Sequence, residues 1–416
     1  MKKIKEEIRS IWKTKGEPLL TLGFDGFKTE AGTHVINFTE SACDLTAYVE
    51  CVDPEERREN HELFADLTIK LLEKGAAERN KTVEETYTGV TPDNVIYNMS
   101  ALEIVLAKYP KLFTEGCRTH CLDLLNEDIF KVPELSSILK DCVVITKYIR
   151  SHKYVKVAFT RMIKTGRKMP VLYPITRFGY ADKTVERICE NKNNLIDMID
   201  ETGDTGDVPS WSATSKKINI TLTNAFEALI NNEDFFRKIA VLRTLTSPLS
   251  AMTHHSELAC VKTSWLFPLM QAFYLDAIKW KHSVPAVRYF SEETRNAVLE
   301  KVMSRWNGNR SINKVSLKTP TSLLAMILDP YTQPLPDELP INWHDQCKEV
   351  LTKFYTGTLL DDSMDEVKCL LLRNGKWGEY VVECQQKIVP PEGIVFANNV
   401  SKVIWMQKKM RRTTND

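Results

Sequence analysis

The chain has 416 residues, which is enough for two to three domains and a full-sized core. Its hydrophobic fraction of 43% and charged fraction of 27% are ordinary for a globular protein, and a formal net charge of +1 excludes a strongly acidic or basic chain. The charge is divided unevenly. Residues 1–150 hold 20 Lys and Arg against 26 Asp and Glu, net −6, whereas residues 151–416 hold 36 against 29, net +7.

Ten cysteines are scattered without a repeating frame, and the charged stretch from Met1 to Lys15 lacks the character of a signal peptide. We therefore expect reduced thiols in an intracellular protein. No apolar run approaches the length of a transmembrane helix, which predicts no membrane contact.

The first part of the chain reads as a short helix followed by strands. Apolar residues at Ile4, Ile8 and Ile11 have helical spacing, which predicts a helix over residues 4–14. Three strand-like runs follow, and their short links favour antiparallel pairing. These runs are Leu19–Phe24, Thr33–Thr39 and Leu45–Val52.

Helices and strands then alternate. A helix is predicted over residues 61–79, a strand over Thr82–Val90, and a second helix over residues 95–108 with Asp93 or Asn94 as its N-cap. Residues 113–121 fit a last short strand or a loop. Three antiparallel strands followed by right-handed strand–helix–strand units predict an α/β fold with a mixed sheet. This is the strand order of a ribonuclease H-like fold.

From residue 131 onward the pattern is mostly helical. The predicted helices cover residues 132–151, 153–165, 176–198, 216–231, 233–250, 254–281, 291–306 and 342–355. We divide the chain into four parts. They are an N-terminal helix (1–16), a ribonuclease H-like core (17–130), a large helical insertion (131–330) and a C-terminal helical region (331–416).

Two carboxylates stand at the ends of strand-like runs, Asp25 after the first run and Asp93 after the fourth. An acid on a strand is costly to bury unless it is paired or binds a metal. Two acids from separate strands would hold one or two Mg²⁺ or Mn²⁺ ions for phosphodiester chemistry. The alternative is structural: Asp25 ends a strand in a turn, and Asp93 only caps a helix.

A second candidate group is Cys117 with His120, three residues later, and the neighbouring Cys121. Cysteine and histidine are zinc ligands, but a structural zinc site needs four ligands and the sequence offers no second pair. We instead predict packed thiols and a histidine that forms a hydrogen bond near the carboxylates. Phosphate-binding glycine loops and the motifs of serine hydrolases and zinc proteases do not occur.

Basic residues are concentrated between Lys153 and Arg187. Residues 151–189 hold nine Lys and Arg against Asp182 and Glu186, which predicts a surface that faces DNA or a solvated helix face. The run Lys408–Arg412 is a second, shorter basic segment, typical of nuclear-targeting signals and of ordinary surfaces.

Several short motifs occur in order along the chain, namely Thr21–Phe27, Thr33–Phe38, Gly89–Asn94, Gly116–Leu125, Thr176–Phe178 and Leu328–Pro330. Together they resemble the hAT superfamily of transposases, and more narrowly the transposase-like domain of unknown function 659. The resemblance implies a ribonuclease H-like core interrupted by a helical domain, a nuclear location, and action on DNA with Mg²⁺ or Mn²⁺. A protein partner or self-association stays open as an alternative or additional partner.

The resemblance also assigns site residues. Asp25 and Asp93 take the places of the family's first two catalytic, metal-binding acids. Further site positions carried over from the family's motifs are Phe27, Asn94, Cys117, His120, Arg177 and Phe178.

The sequence departs from the family pattern in three ways. Phe27 and Phe178 replace two tryptophans, which keeps a stacking ring but loses the indole donor. No Cys/His cluster typical of a zinc-binding finger precedes Asp25. The family's third acid, a Glu in a Ser-x-x-Ser-Glu-Arg-like helix, has no counterpart, because Glu257, Glu292 and Glu383 lie in no such motif.

Three functional hypotheses follow. The chain is a transposase-derived remnant or domesticated module that binds DNA or protein without full catalysis, which is the hypothesis we favour. The alternatives are an active metal-dependent transposase that cleaves and transfers DNA strands, and a truncated gene model of a complete transposase.

Overall fold

A five-stranded mixed sheet forms the N-terminal part of the computed structural model. The structure describes residues 2–29, 32–42, 45–54, 60–163, 168–170, 179–197, 226, 228–257, 263–307, 317, 319–332, 334, 339–372, 375–387 and 396–413. The strands lie in the order β3-β2-β1-β4-β5, with β1 antiparallel to β2 and parallel to β4. This confirms the predicted mixed sheet, in which three antiparallel strands precede the strand–helix units.

The elements of this part follow the chain in a simple order. They are α1 (Lys2–Thr14), β1 (Leu20–Lys28), β2 (His34–Ala42), β3 (Leu45–Val52), α2 (His61–Ala77), α3 (Val83–Thr86), β4 (Tyr87–Pro92), α4 (Ile96–Lys108), β5 (Phe113–Thr114) and α5 (Arg118–Phe130).

One face of the sheet carries the core of this part. Leu20, Leu22 and Phe24 alternate along β1 as buried side chains, and they pack with side chains of α2 and α4, such as Leu72 and Leu102. Because side chains alternate between the two faces of a strand, Asp25 lies on the opposite face. The sheet thus buries its apolar face and leaves the face that carries Asp25 for polar residues.

Two predictions for this part are wrong. Residues 82–90 are not one strand, because the Thr82 side chain accepts a hydrogen bond from the Glu85 backbone while Glu85 Oε2 accepts one from the Thr82 backbone at 2.8 Å. This capping box starts a single helical turn, and β4 begins only at Tyr87. Neither Asp93 nor Asn94 caps α4, because its N-cap is Val95 and no side chain caps it.

The rest of the described chain is helical, which confirms the predicted large helical region. Its helices are α6 (Pro133–Ser151), α7 (Lys153–Met162), α8 (Tyr180–Glu190), α9 (Glu233–Ser256), α10 (Leu266–His282), α11 (Val284–Tyr289), α12 (Glu292–Asn307), α13 (Pro320–Leu328), α14 (Trp343–Leu351), α15 (Thr358–Leu371), α16 (Gly375–Lys387) and α17 (Asn399–Thr413).

Helix boundaries in this region differ from the predicted ones. The helix predicted over residues 233–250 continues through Pro248 to Ser256, and the one predicted over 254–281 begins at Leu266 after a 3₁₀ turn at Thr263–Trp265. The helix expected over residues 216–231 lies largely outside the described residues. The four-part domain division stays a prediction.

Ion pairs and hydrogen bonds join the sheet-containing part to the helical region. Asp128 on α5 forms an ion pair at 2.7 Å with Arg305 on α12, whose side chain is buried. Arg118 at the start of α5 donates to Thr319 Oγ1 at 2.7 Å and to the Leu317 carbonyl at 3.3 Å. Helix α5 therefore carries both the candidate residue His120 and the contacts that fix it to the helical region.

Candidate functional site

The parallel pairing of β1 and β4 brings the two predicted acids together. The register places Phe24 beside Pro92, so the residue that follows each of them is an acid, Asp25 after Phe24 and Asp93 after Pro92. The two side chains share a hydrogen bond. Strand β1 continues to Lys28, so Asp25 lies within a strand and does not end it in a turn.

The two carboxyl groups have pKa values that are shifted in opposite directions. Desolvation by the surrounding protein is the largest cause that raises the pKa of Asp25 to about 7, and the charge and hydrogen bond of Asp93 add to it. More than a third of the surface of Asp25 nevertheless faces water. Burial also acts to raise the pKa of Asp93, but the hydrogen bond and charge of His120 outweigh it, and the pKa is lowered. One carboxyl of the pair therefore ionises much more readily than the other.

His120 lies beside the pair, one turn into α5. Its Nδ1 is 3.4 Å from Asp93 Oδ1 and accepts a hydrogen bond from the Asn94 backbone N–H at 3.2 Å. Because a backbone N–H can only donate, Nδ1 is the acceptor in this contact. His120 therefore contacts both the Asp93 carboxylate and the backbone of the loop that follows β4.

The side chain of Asn94 ties the loop after β4 to the start of α5. Its Nδ2 donates to the Cys117 carbonyl at 2.7 Å and to Cys121 Sγ at 3.1 Å. Gly116 leaves the space that this side chain needs, since a Cβ there would lie 1.6 Å from Asn94 Oδ1. Asn94 therefore holds Asp93 and His120 in one arrangement.

The two cysteines of this segment are packed thiols. Cys121 is fully buried, and burial raises the pKa of its thiol to about 11. Burial likewise raises the pKa of Cys117. Such thiols carry little thiolate at neutral pH, which argues against a nucleophilic role.

The remaining candidates are placed only in part. Phe27 lies two residues after Asp25 on the same face of β1, with 46% of its side chain exposed. Arg177 and Phe178 lie outside the described residues. Asp123, one turn after His120, accepts a hydrogen bond at 2.5 Å from the backbone N–H of Gly179, the residue that follows them in sequence.

Sequence reasoning missed Asn37 as a neighbour of the acids. The antiparallel register of β1 and β2 sets Asn37 opposite Asp25, so both side chains are on the polar face of the sheet. Thr39, which faces Gly23 in the same register, belongs to this face as well. The signal was present as the alternating polar residues from Asn37 onward in β2, with the buried Ile36 and Phe38 on the opposite face.

The residues present fit a divalent cation with oxygen ligands. Mg²⁺ is often held by one or two carboxylates while water and substrate phosphates complete its shell, and Asp25 and Asp93 supply such a pair. Within the described ranges, no group of three or more His, Cys, Asp and Glu side chains is arranged to hold a metal ion. Among those residues, Asp25 and Asp93 are thus the carboxylate pair available to such an ion.

Comparison with known proteins supports the resemblance over the part of the chain that contains this pair. None of the curated proteins matches the chain. Among the described residues, the helices lack the combination of length and apolar character needed to cross a bilayer. Residues 1–145, which include Asp25, Asp93 and His120, match the family model described as a domain of unknown function (DUF659), a family typical of transposase-like proteins.

Proposed function

We propose that the chain is a transposase-derived protein of the hAT type that binds DNA and retains two of the acids of an ancestral metal site. The observation that carries this proposal is the contact between Asp25 and Asp93 at the same edge of two parallel strands. The match of residues 1–145 to a family typical of transposase-like proteins supports the ancestry. A nuclear location belongs to the same proposal.

Asp25 and Asp93 would hold Mg²⁺ or Mn²⁺, and a bound ion would supply charge stabilisation to a phosphate group. His120 and Asn94 hold Asp93 in place through the contacts described above. Complete strand cleavage needs a water or hydroxyl nucleophile and a leaving oxygen to be stabilised together, which is the work of a fuller ligand set. Two acids without a third in the described residues favour binding over catalysis.

The second candidate is an active transposase, and the intact geometry of the acid pair favours it. A cleavage assay separates the two. We would incubate the full chain with labelled duplex DNA and Mn²⁺, beside the double variant Asp25→Asn, Asp93→Asn and the control Asp66→Asn, which alters an exposed carboxylate on α2.

Our proposal predicts DNA binding without Mn²⁺-dependent cleavage in all three proteins. Cleavage by the unaltered chain and by Asp66→Asn, but not by the double variant, would establish the active enzyme instead. Failure of the unaltered chain to bind any DNA would overturn the proposal.

A further inference from the structure

The sequence places basic residues densely along α6 and α7. Residues 133–163 hold six Lys and Arg but only two acids, Glu134 and Asp141. Glu134 is held by Lys238 at 3.2 Å, and Asp141 is half-buried. The positive charge of these two helices is therefore largely uncompensated within them.

Five described side chains make up what we call the α6–α7 basic surface, and all five residues are exposed. They are Lys140, Lys147, Arg150, Lys153 and Lys156. None of them forms an ion pair with a carboxylate of the described residues; Arg150 donates only to the Pro170 carbonyl, at 3.4 Å. Lys140 and Lys147 are two helical turns apart on one side of α6, a rise of about 10 Å.

Ion pairs divide the described part of the basic stretch that the sequence singled out, because the basic side chains on α8 already have carboxylate partners. On α8, Lys183 pairs with Glu186 at 2.8 Å and Arg187 with Glu190 at 2.6 Å. Arg243 on α9 adds a further contact to Glu186 at 3.2 Å. A polyanion gains little from charges that already have carboxylate partners, so in this part of the described chain the basic side chains without carboxylate partners are those on α6 and α7, together with Lys168.

We propose that the α6–α7 basic surface binds the phosphate backbone of double-stranded DNA without reading its sequence. This deepens the proposed function and rests on it for the identity of the partner. Lysine side chains act as flexible point charges suited to phosphates, and a duplex with regularly spaced charges offers partners to exposed lysines that are spread along two consecutive helices. An acidic membrane is a poorer match, because Val144 and Val157 are the large apolar residues exposed among the described positions of these helices.

The test measures affinity for a random-sequence DNA duplex as a function of salt, in EDTA so that no metal contributes. The variant replaces Lys140, Lys147, Lys153 and Lys156 by Gln, which keeps helix propensity. The control variant also has four lysines replaced by Gln, so its net charge changes by the same amount. These lysines already form ion pairs, and they are Lys74, Lys81, Lys108 and Lys368. Circular dichroism and thermal unfolding check that both variants fold.

In a plot of log affinity against log salt concentration, the slope of the surface variant should be smaller in magnitude than that of the unaltered chain by about 3 to 4. This difference corresponds to four lost phosphate contacts at roughly 0.9 each. At moderate salt the DNA affinity of the surface variant should be at least about tenfold lower than that of the unaltered chain, while the control variant keeps the slope of the unaltered chain. Equal losses in the two variants, or an unchanged slope in the surface variant, would overturn the proposal. So would binding to anionic vesicles but not to DNA.

This outcome is separable from that of the proposed function. Loss of DNA binding in the surface variant, together with metal-dependent cleavage by the unaltered chain, would support this surface and refute the proposed lack of catalysis. DNA affinity that is the same in the surface variant and the unaltered chain would refute the role of the α6–α7 basic surface but leave the proposed function standing.

Discussion

Protonation of the carboxyl pair predicts an unusual dependence of stability on pH, which replacement of Asp25 by Asn should remove. The pKa of Asp25 rises from 3.8 to about 7 in the folded protein. Between these values the folded chain keeps a proton that the unfolded chain has released. The free energy of unfolding contributed by this group therefore falls as pH rises through that window. Asp93 acts in the opposite sense, but its lowered pKa confines its effect to pH below about 4.

The magnitude follows from the size of the pKa change. Three pKa units correspond to about 4 kcal/mol, which is an upper bound. More than a third of Asp25 faces water, and screening of such exposed groups reduces the expected effect to about 1–2 kcal/mol.

The assay is urea unfolding between pH 4.5 and 8 in EDTA, comparing Asp25→Asn with the unaltered chain and with Asp66→Asn. The stability of Asp25→Asn relative to the unaltered chain should increase by about 1–2 kcal/mol from the low end of this range to the high end. The free energy of unfolding of Asp66→Asn should depend on pH in the same way as that of the unaltered chain. A stability difference between Asp25→Asn and the unaltered chain that is independent of pH would refute the raised pKa of Asp25.

Three further substitutions test the framework that holds the site. Gly116→Ala should displace Asn94, whose Oδ1 would lie 1.6 Å from the new Cβ, and lower the free energy of unfolding by about 2–3 kcal/mol in urea titrations. Gly32→Ala lies at an exposed turn with a φ of +84°, so it should cost stability only through backbone strain and should leave the Asn94 contacts intact. Tyr87→Phe should cost about 2 kcal/mol, because the Tyr87 hydroxyl donates at 2.5 Å to the buried carboxylate of Glu40. No loss would mean that Arg79 and Arg9 satisfy that carboxylate without the hydroxyl. Arg305→Ala should cost about 3–5 kcal/mol by leaving Asp128 without its buried partner, and chemical denaturation that finds less than about 1 kcal/mol would argue against this link between α5 and the helical region.

The adjacency of the two acids could be predicted from the sequence because each follows an apolar run, and strand order makes those runs neighbours. The register that aligns Asp25 with Asp93 could not, since it depends on how Phe24 and Pro92 pack within the finished sheet. The neighbour Asn37 depends on the same register and was missed for that reason.

Local hydrogen bonds account for other differences. The capping box of Thr82 and Glu85 is visible in the sequence as Thr-x-x-Glu, but the β-rich composition of the segment favoured a strand. Charge pairing is harder to foresee. Lys183 and Arg187 count as basic in the sequence, and only the helix geometry shows that Glu186 and Glu190 neutralise them. Contacts such as Arg305 with Asp128 join residues too distant in sequence to be inferred from it.

The binding of a divalent cation by Asp25 and Asp93 is tested most directly by thermal unfolding with and without Mn²⁺. Mn²⁺ at about 100 times its Kd should stabilise the folded chain by about 2.7 kcal/mol, since it binds the native state. Asp66→Asn should keep the resulting rise of a few degrees in Tm, and the double variant Asp25→Asn, Asp93→Asn should lose it. A Mn²⁺-dependent rise of equal size in the double variant would contradict the account.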